Sequence, residues 1–162
     1  MSTRDEVGAT TFTTPSELEI VATRVFDAPR TLVWEAWTKP EHLPNWMVGP
    51  PGWSMPICEI DLRPGGEWHF VWRKDDDSEM EMRGVYREIQ PPERLVSSSS
   101  WGPEWPETVE TLALSEEDGR TTVTQTVLYP SQEARDAAAA TGMKDGMSLG
   151  FDRLDEYLRT LS

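Results

Sequence analysis

Apolar residues recur at steps of three and four near the end of the chain. They are Met143, Met147, Phe151, Leu154, Leu158 and Leu161, with Gly150 and Tyr157 widening the stripe. Lys144, Asp145, Ser148, Asp152, Asp155, Glu156 and Arg159 take the other side. This spacing predicts an amphipathic helix with one buried face. Over residues 143–161, at about 1.5 Å per residue, it is roughly 28 Å long, enough to cross a small domain. Gly142 separates it from an alanine-rich stretch, residues 132–140, a shorter helix that Ser131 is placed to cap.

Upstream the period falls to two. Residues 18–26, 58–62, 67–73, 79–89, 95–101, 108–115 and 121–129 read as strands. Trp68, Phe70 and Trp72 share one face of their strand, and Glu67, His69 and Val71 share the other. Met80, Met82, Gly84 and Tyr86 also share a face, but the pattern leaves open whether it turns inward; Gly84 is a candidate bulge. After the first strand, Asp27-Ala28-Pro29 opens a helix running to about Trp37, with Asp27 as candidate cap and Pro29 in the first turn. Residues 38–41 restart a short second helix carrying Leu43 and Trp46. Pro/Gly-rich segments at 49–53 and 102–106 read as stiff loops bearing aromatics, and 63–66, 75–78 and 116–120 as turns. Consecutive hairpins make the sheet antiparallel, and the long helix must cover its apolar face. The class is α+β.

A chain of 162 residues is most economically one domain, burying roughly 70% of its unfolded surface. Residues 1–15 are Thr/Ser-rich and aperiodic, so a flexible N-terminal tail is expected there and a single domain over 16–162. No apolar run approaches the ~20 residues of a membrane span, and the first residues are too polar for a signal peptide. The single cysteine, Cys58, leaves no internal disulfide, which fits the cytoplasm. A net charge of −14 and a pI near 4.5 oppose nucleic-acid binding, because the arginines stand singly among acids. The acidic character is read as solubility rather than as a docking surface. Eight tryptophans in so small a chain point to a lined pocket or an interface as well as a core.

Several segments resemble one family. Phe26-Asp27-Ala28-Pro29 followed by residues 33–41 is similar to the opening signature of the SRPBCC superfamily, in the branch named after the activator of heat-shock-protein-90 ATPase (AHSA-like). Asp61-Leu62-Arg63-Pro64-Gly65-Gly66 with Trp68 is similar to it too, as are residues 84–89 with 91–96 and Thr141-Gly142-Met143 with Gly146 and Arg153-Leu154. The resemblance covers about residues 18–161. It implies a helix-grip, START-like fold: a curved antiparallel sheet wrapped around the C-terminal helix, two short helices closing one end, and a cavity between. It also implies a hydrophobic or amphipathic small molecule as partner, since the superfamily holds such ligands and includes polyketide cyclases and lipid carriers. In the eukaryotic co-chaperone this domain follows a chaperone-contacting domain, for which residues before Leu18 leave no room.

Catalytic signatures are weak. His69 alternates with the aromatic face of its strand and should point away from it, and no local motif links it to residues 97–100 as a triad. His42 lies in the short second helix. One cysteine and two histidines make no zinc signature, and Asp75-Asp76-Asp77 lacks the glycine and terminal glutamate of a calcium loop. Residues 63–66 lack a phosphate loop's lysine. No cofactor, metal or catalytic residue is therefore assigned. The expected ligand-binding residues are Trp46, Trp53, Trp68, Phe70, Trp72, Trp101, Met143, Met147 and Phe151, with Trp46, Trp53 and Trp101 nearer the open end. The alternative is a cyclase- or hydrolase-like enzyme in the same cavity, needing an inward titratable group; Glu81, Gln125 and Tyr86 are the strand residues to inspect. A co-chaperone is a weaker third. A homodimer is compatible with the sequence but not readable from it.

The charge yields a direct test. In fluorescence anisotropy at physiological salt, duplex DNA should show no binding at micromolar protein, since little counterion release opposes the repulsion. Salt-sensitive micromolar binding would contradict this reading of the surface.

Overall fold

The computed structural model describes residues 10–47, 52–100, 102 and 106–161. Among the described residues eight strands form one antiparallel, curved sheet: β1 (Thr11–Thr13), β2 (Glu19–Phe26), β3 (Trp53–Ile60), β4 (Glu67–Lys74), β5 (Glu79–Gln90), β6 (Arg94–Ser100), β7 (Thr108–Glu117) and β8 (Arg120–Leu128). Their order is β1-β2-β8-β7-β6-β5-β4-β3, so the chain runs as hairpins from β3 to β8 and then meets β2. Helix α1 (Arg30–Thr38) and a 3-10 turn (Leu43–Asn45) lie between β2 and β3, and α2 (Gln132–Ala139) and α3 (Met143–Leu161) follow β8. Among the described residues no helix is long and apolar enough to cross a membrane.

Local chemistry explains most boundaries. The β7–β8 connection places Asp118 at φ 54° and Gly119 at φ 78°, the two left-handed residues of a type I′ hairpin, whose twist matches that of the strands. Ser131 caps α2 by accepting from the Ala134 N–H at 3.1 Å. Trp46 donates its indole N–H to the Ala36 carbonyl at 2.9 Å, bolting the 3-10 turn to α1.

Several expectations are corrected. Residues 11–13, expected within a frayed tail, pair as β1 with residues 21–23 of β2. Asp27 does not cap α1: Pro29 occupies the cap position without a side-chain bond, and the Arg30 N–H instead donates to Glu116 Oε1 at 2.6 Å. The cap is tertiary, supplied by the β7–β8 hairpin. Trp53 begins β3 instead of ending a loop, and that strand is longer than expected, with a register shift between Ser54 and Ile57. Gly84 is not at a bulge, since the irregularity of β5 falls between Tyr86 and Glu88.

Helix α3 docks unevenly. Phe151, Leu154 and Leu158, from its middle onward, are buried, whereas Met143, Met147 and Gly150 before them are only partly covered. Phe151 sits edge-on to Phe26 of β2 (centroids 6.0 Å apart) and beside Trp37 of α1 (5.7 Å), so sheet, α1 and α3 converge on one ring. Close by, Arg24 on the inner face of β2 is 3% exposed and reaches Asp152 at 2.5 Å and Asp155 at 3.6 Å on α3.

Phe151→Ala should therefore cost about 3–5 kcal/mol in urea melts, the usual range for emptying a buried phenylalanine position. A loss below about 1 kcal/mol would mean that α3 docks by another face.

Candidate functional site

Where α3 leaves the sheet, a cavity of about 900 Å³ opens. Its sheet wall follows from period-two alternation. Trp68, Phe70 and Trp72 of β4, Met82 and Tyr86 of β5, Leu95 of β6, and Leu112 of β7 all line it. The opposite wall is Met143, Met147, Gly150 and Phe151 of α3, with Ala134 and Ala138 of α2. Trp37, Trp46 and Trp53 complete one end. Eight of the nine expected residues thus meet around one space; the ninth, Trp101, lies outside the described residues.

The tryptophans are not equivalent. Trp46 and Trp72 have their N–H groups committed to backbone carbonyls, of Ala36 and of Met47 (2.7 Å). Trp68 is 5% exposed, and its indole N–H has no hydrogen-bond partner among the described residues. Gly84 makes room for the Trp68 ring. A Cβ there would stand 2.2 Å from indole atoms of Trp68 and 2.2 Å from the Ser98 carbonyl oxygen. The glycine is a close-approach position, so the ring leans across β5 towards β6.

The floor of the cavity is polar. Ser97, Thr108, Glu110 and Gln125 line it from β6, β7 and β8. Register places Ser97 opposite Glu110, and Ser99 opposite Thr108. Ser99 Oγ lies 2.8 Å from Thr108 Oγ1, diagonally across the β6–β7 ladder from Glu110. Burial pushes the Glu110 carboxyl up to about 7, and the Ser99 hydroxyl opposes the shift only in part. Tyr129, at the same end, is raised to about 12 by burial and then by the Glu110 charge, and its hydroxyl lies 3.2 Å from the Met143 sulfur. Burial also raises Tyr86 and takes the Cys58 thiol to about 11, so Cys58 is no activated nucleophile.

The residues singled out for inspection separate cleanly. Tyr86 and Gln125 face the cavity. Glu81 sits at its rim, but its carboxylate turns to the outer face of the sheet. There it meets His69 Nε2 at 2.6 Å, and that bond lowers its pKa. His69 is held on that outer face, with Nδ1 3.3 Å from Glu59. His42 Nδ1 is 2.6 Å from the Tyr157 hydroxyl. Among the described residues no cluster of His, Cys, Asp or Glu is arranged to hold a metal ion. Glu110 is not among the residues expected from the sequence, although it shares the strand face of Leu112 and Leu114. Strand parity alone would have placed it inside.

A curved antiparallel sheet gripping a C-terminal helix across an internal cavity defines a helix-grip, START-like protein. Residues 27–159 match the family described as activator of Hsp90 ATPase homolog 1-like protein, and the chain belongs to that family. A protein from Rhodobacter sphaeroides of known crystal structure is 30% identical, with TM-score 0.88 over 95% of this chain and 100% of that one. One from Nitrosomonas europaea is 26% identical, with TM-score 0.81 over 91% and 97%. One from Mycobacterium smegmatis, 22% identical with TM-score 0.81 over 91% and 96%, shares the fold. No curated protein matches the sequence.

Two outcomes are expected. A carboxyl raised from 4.5 to about 7 binds its proton more tightly in the folded state, so stability falls as pH rises through that window. Glu110→Gln should therefore stabilise the protein by about 1–3 kcal/mol more above pH 8 than below pH 5, read from urea melts. An equal effect at both pH values would place the carboxyl in water. Gly84→Ala should cost about 1–3 kcal/mol and shift tryptophan emission, because the Ser98 backbone cannot yield and the indole must. An unchanged spectrum and midpoint would show that the ring does not lie over residue 84.

Proposed function

We propose that this protein binds an amphipathic small molecule between the sheet and the N-terminal half of α3. The observation that carries the reading is the cavity of about 900 Å³, towards the upper end of ordinary ligand sites. Its walls are aromatic and thioether side chains and its floor is a short row of hydrogen-bonding groups. That division suits a ligand with an apolar body and one polar end. Methionines at 143 and 147 give an adaptable wall, while the β4 aromatics give a stiff one. The single cysteine fits action in the cytoplasm.

A second reading is favoured by one observation, the Glu110 carboxyl raised to about 7. A group poised there can take or give a proton near neutrality, so the same cavity would serve a general acid–base reaction on its ligand. Ser99 and Thr108 would orient the carboxyl, and neither histidine would take part.

Titration with 1-naphthalenemethanol, a neutral amphipathic probe, should quench tryptophan emission with micromolar affinity. Met147→Trp, which fills the cavity from the helix side, should weaken binding about tenfold or more, comparable to losing one well-buried contact. Equal affinity of native protein and variant would put the probe elsewhere.

A further inference from the structure

We infer that the cavity selects a cationic amphiphile, an amine attached to an apolar or aromatic body, whose ammonium group pairs with Glu110. The inference rests on the cavity-binding reading above and adds the chemical class of the ligand. Charge carries it first. The described residues lining the cavity include Glu110 on the floor and Glu79 and Glu81 at the rim, but no lysine, arginine or histidine. Arg24, the basic side chain on the inner face of β2, is held by Asp152 and Asp155. Among the described lining residues a carboxylate or phosphate head group would find no counter-charge and would face Glu110. Desolvating it there is unfavourable.

Geometry supplies the rest. The Trp68 ring leans over Gly84, and Gly84 is paired with Ser99. Ser99 in turn stands opposite Thr108 on the next strand, and Glu110 is two residues further along that strand on the same face. The indole and the carboxyl are thus about two strand spacings apart, roughly 10 Å. That is the reach of a small aromatic amine, with its ring against the tryptophan wall and its nitrogen at the floor. An ammonium there would donate to the carboxylate and offset the cost of burying its charge. Aromatic faces favour a cation over an anion as well. At long range, a net charge of −14 draws cations towards the protein.

Three probes with nearly the same body separate this inference from the reading it rests on: 1-naphthylmethylamine, 1-naphthalenemethanol and 1-naphthoate. Isothermal titration at about pH 7.5 keeps the amine protonated and Glu110 largely ionised. The expected order is amine tighter than alcohol by about tenfold or more, the range of a charge-assisted hydrogen bond, with no detectable naphthoate binding. In Glu110→Gln the amine-to-alcohol ratio should fall to about one. If the alcohol binds but the amine is no tighter, or naphthoate matches it, the cationic selection is overturned while the cavity remains a binding site. A preference for the amine that survives in the Gln variant overturns the pairing with Glu110 in the same way. If none of the three binds, both readings fall. The ranking on the native protein decides the question even if the variant folds poorly.

Discussion

A straight helix cannot follow a twisted sheet along its whole length, and this mismatch organises the protein. Helix α3 meets the sheet through Phe151, Leu154 and Leu158, and on the N-terminal side of Gly150 it stands away from it. The docked half is fixed three ways. Phe151 wedges against Phe26 and Trp37, Arg24 pairs with Asp152 and Asp155, and His42 meets Tyr157. The free half is held from its other end by α2 and by Tyr129, whose hydroxyl touches Met143. The cavity is what lies between those two attachments. It belongs to the fold rather than to a packing fault, because filling it would require the sheet to flatten.

Arg24 and Glu110 are charged residues on the inner face of the sheet, and they differ in kind. Arg24 has carboxylates to pair with, although its Nε is left without a partner among the described residues. Such a pair stabilises the native arrangement weakly and mainly fixes where α3 can sit. Glu110 has hydroxyl neighbours and, among the described residues, no paired cation, so burial resists its charge and its pKa rises.

Much of this was legible in the sequence. The 3.6-residue stripe marked α3 to its ends, and alternation gave the aromatic face of β4 and the outward direction of His69. These signals are local and strong, because one face of each element is apolar. What escaped reading depended on contacts between distant residues. The cap of α1 comes from Glu116, some 86 residues away, so Asp27 offered a false local signal. The role of Gly84 appears only when Trp68 on the neighbouring strand leans over it. β1 gains its order from edge pairing with β2, not from its own polar sequence. Glu110 and Arg24 were readable in principle, since each shares parity with buried neighbours. Charged residues interrupting an apolar face look like surface until their partners are known.

The central claim is that the space beneath Met143 and Met147 is a ligand site. Methyl-labelled methionine NMR tests it most directly, since methionines mark both the walls and the core. Met47, Met82, Met143 and Met147 line the cavity, while Met55 is buried outside its lining. Saturation with 1-naphthalenemethanol should move the four lining methyl resonances and leave Met55 in place. Shifts confined to Met55 or to the exposed Met80 at the rim, or no shifts at all, would contradict the account.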